Sequence, residues 1–417
     1  MSHKTIALID PVWGGHSPSY FVQYWAALVC QQNESELDFT LIGFSPQPEQ
    51  TRKLLASRGV KDARIFPLET PLRSHYPHSR RGNVGFALAH WKSLRKVVQQ
   101  AEDEDRKPVS LALIIWLEPF LAQFLTGTLV ERHFRRPWAG LYLHPFTFRI
   151  KQSRRLRLLE KIFPQYGAVQ ARNCRAVLTL DEGIAAAMSR RIGKPVLAMP
   201  DVADASTPDP NFQLPREVKK RAGGRLVCGL IGVLQKRKGI LSFIEAAKAK
   251  PPDWFFVIAG ALIKNDFTAE ELCLVKEFFD SQPQNCAAWL THLDEASLNA
   301  TVCACDVLFA AYETFPHSST ILAKAALYDK LAIVSQGFLM SERVARHNLG
   351  WILPESTPAA LLDLLTHTDR QVVQEKKIHA RFADYTREHS EAKLRSVMGQ
   401  LISKNGATGD SLKHFPP

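Results

Sequence analysis

Val227-Cys-Gly-Leu-Ile-Gly-Val-Leu-Gln-Lys-Arg-Lys-Gly-Ile240 opens as an apolar run, crosses a loop holding Gly232, Gly239 and three cations, and leads into a helix-like pattern over residues 241–249. A strand handing over to a helix through such a loop is one βα unit, the repeating element of a parallel sheet. Apolar runs of strand length follow at residues 226–231, 254–259, 287–290, 307–310 and 331–334. An earlier series lies at residues 5–10, 38–43, 63–66, 111–117, 139–143 and 176–180. Between the two series stands Met199-Pro-Asp-Val-Ala-Asp-Ala-Ser-Thr-Pro-Asp-Pro210, whose prolines and aspartates interrupt both periodicities. A linker with a boundary near residue 205 follows. The fold class is α/β with two sheets: residues 1–205 form one domain and 206–371 a second. A helical segment spans 372–404, and residues 405–417 are expected as a mobile tail.

At 417 residues the chain has the length of two domains, and 46% hydrophobic against 23% charged residues is the balance of a folded protein. The net charge of +12 is unevenly spread: residues 1–200 carry 28 Lys and Arg against 16 Asp and Glu, whereas residues 201–417 carry 25 of each. A domain with such a surplus attracts polyanions, or is simply a soluble basic surface. Seven cysteines without a CxxC pair suggest neither a zinc ribbon nor a disulfide framework, and a reducing cytoplasm is the expected location. The start of the chain does not read as a signal peptide, and no apolar stretch approaches bilayer length, so membrane contact would be peripheral.

Four stretches carry candidate chemistry. Asp10-Pro-Val-Trp-Gly-Gly-His16 follows the first strand; Gly14 and Gly15 permit close backbone approach to a ligand, and His16 would stand at the carboxyl edge of the sheet, though a tight βα turn needs the same glycines. His144 ends another strand and precedes Pro145, which holds it extended over the same edge; a structural histidine is the other reading. The loop Gly232–Gly239 offers Lys236, Arg237 and Lys238 with exposed amides to a pyrophosphate, or is a solvated basic loop. Cys305-Asp306 to Thr320 ends a strand in Glu313 and then places His317, Ser318, Ser319 and Thr320 before a helix at 321–328. Such hydroxyls and amides suit phosphate, and a carboxylate suits sugar hydroxyls; an ordinary N-cap would look similar.

In this order the pieces resemble the GT-B glycosyltransferases, and among them the retaining glycosyltransferase family 4. Val177-Leu-Thr-Leu-Asp-Glu182 looks like the strand closing the family's acceptor domain, and Met199-Pro-Asp-Val-Ala-Asp204 like its Pro-Asn-Gly-Val-Asp linker. Gly232 to Gly239 resembles the Gly-Arg-Leu-x-x-x-Lys-Gly phosphate loop, Asp306 to Glu313 the strand entering the Glu-x-Phe-Gly segment, and Leu349-Gly350-Trp-Ile-Leu-Pro354 a late strand and turn. Two departures stand out: Val233 replaces the phosphate-loop arginine, and Lys324 stands where the family carries a ribose-binding glutamate. A cation cannot accept from ribose hydroxyls.

The resemblance implies two Rossmann-like domains facing each other across a cleft, with a nucleoside diphosphate sugar on the second domain and an acceptor on the first. Lys238, Arg237 and the amides of residues 318–320 would stabilise the leaving diphosphate, Glu313 would fix the sugar, His144 would sit by the sugar or the reacting oxygen, and His16 would lie between acceptor and β-phosphate. The implied enzyme retains anomeric configuration and uses neither metal nor separate cofactor. The rival reading is a non-catalytic sugar-nucleotide-binding subunit. Nucleic acid is excluded as a partner because no aromatic-interleaved basic ribbon or recognition helix occurs. Residues 149–161 hold six cations and one acid on a modestly amphipathic helical pattern, which suits an anionic membrane surface, a phosphate-bearing or lipid-linked acceptor, or a solvated face.

Overall fold

The computed structural model describes residues 3–14, 17–34, 38–72, 83–150, 160 and 162–404. His16, Gly15, most of the basic 149–161 segment and the 405–417 tail therefore lie outside the described residues. The chain divides into two compact units, Met1–Pro200 with Glu391–Pro417, and Asp201–Ser390.

The first unit is built on seven parallel strands: β1 (Lys4–Ile9), β2 (Phe39–Ser45), β3 (Ile65–Pro67), β4 (Leu111–Ile114), β5 (Trp138–Leu141), β6 (Cys174–Thr179) and β7 (Val196–Ala198). Their order across the sheet is β3-β2-β1-β4-β5-β6-β7. The second unit has six parallel strands: β8 (Leu226–Ile231), β9 (Trp254–Ala259), β10 (Cys286–Trp289), β11 (Val307–Ala310), β12 (Leu331–Ser335) and β13 (Gly350–Leu353). These run β10-β9-β8-β11-β12-β13. In each sheet the winding reverses once, between β1 and β4 and between β8 and β11. Open α/β sheets bind ligands at the carboxyl ends of the strands flanking such a reversal.

The unbroken apolar runs of β8 and β9 are buried at every residue, as expected of strands covered on both faces. Trp254 hands its indole N–H to the Leu365 carbonyl at 2.9 Å, and Phe243 packs between Phe256 and Phe309. In the first unit Trp91 packs against Trp138 at 4.9 Å between centroids and donates to the Phe120 carbonyl at 3.1 Å. Large aromatic side chains of this kind bury much apolar area, and the Trp254 and Trp91 indoles each find a carbonyl acceptor.

Three differences from the sequence reading have local causes. The strand expected over 111–117 ends at Ile114: Ile115 and Leu117 still donate to Ile9 and Leu141, and the chain then turns into the short 3-10 helix Glu118–Phe120. β7 was not anticipated, because three half-buried residues after Pro195 carry too little pattern to read. The helical stretch expected over 372–404 is three helices, Arg370–His379, Phe382–Glu388 and Glu391–Lys404; it breaks first where Ala380 turns extended and Arg381 N–H donates to the His347 carbonyl. The last helix lies with the first unit, packed on the Ser17–Glu34 helix.

Candidate functional site

At the reversal of the second sheet the loop after β8 meets the loop after β11. Gly232 has φ +99° and Gly260 φ +139°, and a side chain on Gly260 would strike the Gly232 carbonyl, so the ends of β8 and β9 close on each other as only glycines allow. A single turn, Lys236–Lys238, then leads through Gly239, at φ +76°, into the Ile240–Lys248 helix. Glu313 N–H donates to the Arg237 carbonyl at 2.7 Å and ties the two loops together.

The three loop cations have different fates. Lys236 pairs with Glu271 at 2.5 Å, on a helix whose start Thr268 and Glu271 cap reciprocally. Arg237 lies over the Phe315 ring at 4.5 Å, and burial lowers its pKa. Lys238 reaches back under the loop, its Nζ 5.4 Å from the centre of the Tyr312 ring. Among the described residues no carboxylate pairs with it. Burial first, and the neighbouring Arg237 charge second, push Lys238 down to about 8. A cation held this way, beside an arginine and without a counter-ion, favours an incoming anion.

Glu313 is exposed beside this loop, and the following Thr314 takes φ +47°. His317 is buried and meets Phe315 edge-on at 5.5 Å. Ser318 points inward: its hydroxyl donates to the buried Asp201 and accepts from the buried Arg343. Ser319 and Thr320 open the Thr320–Leu327 helix, with Ser319 Oγ 3.5 Å from Tyr312 Oη. Val233 is exposed to solvent beside the loop. Lys324 faces the interior, where its Nζ donates to the Asp204 carbonyl at 3.1 Å and Asn299 at 2.6 Å and pairs with Glu295 at 2.7 Å. That side chain is a packing element of the unit.

The reversal of the first sheet is furnished differently. Asp10, fully buried at the end of β1, accepts from Val12 N–H at 3.0 Å, Trp13 N–H at 3.2 Å and the Ser17 hydroxyl. It thus shapes the loop containing Gly14 and the start of the Ser17–Glu34 helix. Burial raises its pKa against these hydrogen bonds. Across the reversal, Glu118 accepts from His144 N–H at 2.6 Å and stands 3.4 Å from its ring Nδ1. The Trp116 ring is 6.1 Å from that of His144. Asp10 and Glu118 were not picked out from sequence. The signal available was position, a carboxylate within a few residues of a strand end next to the reversal, which is visible only once strand order is known.

Among the described residues no cluster of three or more His, Cys, Asp or Glu could hold a metal ion. The chain's single Asp-x-Asp triplet, Asp103-Glu104-Asp105, ends the Val84–Asp105 helix, where Asp105 pairs with Arg64 at 2.7 Å.

No family model matches the chain, and no curated protein sequence matches it. Solved structures do. HepE of Anabaena, in complex with UDP and glucose, superposes with a TM-score of 0.64 at 14% identity, over 96% of this chain and 100% of that one. Sucrose-phosphate synthase of Thermosynechococcus elongatus gives 0.64 at 15% identity, over 97% and 100%. WaaG, a glycosyltransferase involved in lipopolysaccharide biosynthesis, gives 0.59 at 11% identity, over 95% and 99%. The fold is that of the GT-B glycosyltransferases, two Rossmann-like domains each on its own parallel sheet. At these identities the likeness is one of fold.

Proposed function

We propose that the chain is a nucleotide-sugar-dependent glycosyltransferase whose second unit holds the diphosphate of the donor on Lys238, Arg237 and the start of the Thr320–Leu327 helix. The observation that carries this reading is Lys238, a half-buried cation without a carboxylate partner among the described residues, at the winding reversal of its sheet. Support comes from neighbours of the same fold crystallised with UDP and UDP-glucose. In the reaction the bond between the anomeric carbon and the β-phosphate oxygen breaks, and the acceptor oxygen forms the new bond to that carbon. The acceptor's proton passes to the departing diphosphate, and configuration is retained. Negative charge grows on the phosphate as that bond lengthens, and fixed cations there lower the barrier. No protein-bound metal takes part. Glu313 is assigned to the sugar hydroxyls and His144 to the sugar or the reacting oxygen.

A thermal-shift series with UDP, ADP and GDP tests the donor site, because a ligand at a hundred times its Kd stabilises by about 2.7 kcal/mol. At least one nucleotide should raise the melting temperature, and failure of all three removes the donor site. Release of free nucleoside diphosphate from the matching sugar nucleotide then separates an enzyme from a binding subunit.

A specific observation also favours peripheral contact of the first unit with an anionic membrane. Phe124, Ile162 and Phe163 are exposed, the two phenyl rings stand 4.8 Å apart, and the basic 149–161 stretch runs directly into Ile162 and Phe163 in sequence. Exposed aromatics beside cations are the means by which proteins lie on such surfaces.

A further inference from the structure

The positive surplus of the first half is not found at the winding reversal of its own sheet, where Asp10, Glu118 and His144 stand. Part of it stands at the opposite, amino-terminal edge of the first sheet. Arg135 and Arg136 precede β5, Arg172 precedes β6, Arg175 is its second residue, and Lys194 precedes β7. Arg136 is neutralised by Glu102 at 2.7 Å. Arg172, Arg175 and Lys194 instead line one pocket of about 400 Å³, with Ser189 and the Gly193 turn on its wall.

Three features distinguish this pocket from a merely basic surface. No Asp or Glu lines it, and among the described residues none of the three cations has a carboxylate partner; Glu131 accepts only the main-chain N–H of Arg172. The cations come from separate elements, so they are not one helix's charges answering its own dipole. The last turn of the Glu182–Ile192 helix already carries Arg190 and Arg191 for that purpose. All three cations line the same pocket, and Cys174 and Pro195 complete its wall. Ser189 Oγ donates to the Lys194 carbonyl at 2.8 Å, and Gly193 ends the helix in the left-handed region, so the turn carrying Lys194 is fixed.

We propose that the pocket formed by Arg172, Arg175 and Lys194 binds a phosphate group, as a small phosphomonoester or the headgroup of a phosphomonoester lipid, at a site separate from the donor loop. Three cations lining one pocket suit a dianionic phosphate, and the cavity leaves room for a short organic body.

The test uses the full chain carrying Lys238→Ala, which removes phosphate binding at the donor loop. Calorimetric titration with inorganic phosphate and with glycerol phosphate should show saturable binding to one site per chain. Adding Arg175→Gln and Lys194→Gln should weaken it at least tenfold with an unchanged circular dichroism spectrum, and Arg175→Lys with Lys194→Arg should recover most of it. Co-sedimentation with phosphatidic acid against phosphatidylcholine vesicles names the source. Sedimentation lost in the Gln variant assigns the headgroup, and binding of soluble ester alone assigns the free phosphomonoester. Absence of saturable phosphate binding in the Lys238→Ala chain, or equal affinity in the Gln variant, overturns the proposal. Neither result touches the donor site, which is read from nucleotide binding in the parent.

Discussion

The two sheets reverse their winding in the same way, yet the two reversals carry opposite charge. The second unit, which holds 21 Lys and Arg against 23 Asp and Glu, presents Arg237 and Lys238 beside Phe315 and Tyr312. The first unit, which holds the positive surplus, presents Asp10, Glu118 and His144, with the Trp116 ring beside His144. Its cations at Arg172, Arg175 and Lys194 lie at the far ends of the strands. A strand of four to six residues spans about 13–20 Å, against a screening length of about 8 Å in physiological salt. The field at a strand's carboxyl end is therefore set by the few groups buried there, and the net charge of the domain says little about it. A cationic reversal suits phosphate. A carboxylate-lined one suits hydroxyl groups.

The comparison breaks most visibly at Lys238. Lys238→Met should weaken nucleoside diphosphate binding about thirtyfold or more, since truncating one partner of a desolvated charged contact costs about 2–5 kcal/mol. The melting temperature of the ligand-free protein should not fall, because the variant removes a half-buried charge that no carboxylate among the described residues pairs. The parent's own affinity should decline as pH rises above about 8, where the empty site loses the Lys238 proton. The bound diphosphate holds that proton to higher pH, so binding takes up protons in this range. Calorimetry of both proteins across pH 7–10 checks each point; a flat profile in the parent would place the diphosphate elsewhere.

At the other reversal, Glu118→Gln should lower turnover about tenfold or more while leaving nucleotide affinity unchanged. It keeps an acceptor for His144 N–H but removes the charge that favours a proton on Nδ1 and leaves Nε2 to face a hydroxyl. If His144 acts through this pair, His144→Ala should lower turnover similarly, and the double variant should fall no further than the worse single one. Additive losses would mean that the two side chains act separately.

The smallest effect is expected from Val233→Arg, which places a cation at an exposed position beside the phosphate loop. A screened charge is worth about 0.2–1 kcal/mol, so nucleotide affinity should rise by no more than about fivefold. No change would mean that Arg237 already serves the diphosphate in its place.

The alternation of apolar runs and helix-length segments is local information, and it sufficed for the two-sheet architecture, nearly every strand, and the loop from Gly232 to Gly239. Parallel strands buried on both faces must be apolar throughout, and glycines are needed where backbones close on each other, so both leave marks in the chain itself. Strand order was not legible, because it depends on which crossover packs beside which. With it went the position of each reversal, and hence the significance of Glu118 and Asp10. Only the tertiary structure separated Lys236, spent on Glu271, from Lys238, which has no acid partner, and turned Ser318 toward Asp201 and Lys324 toward Asn299 and Glu295. A charged residue's role is set by what stands within a few ångströms of it, and in this chain those neighbours are often dozens of residues away in sequence.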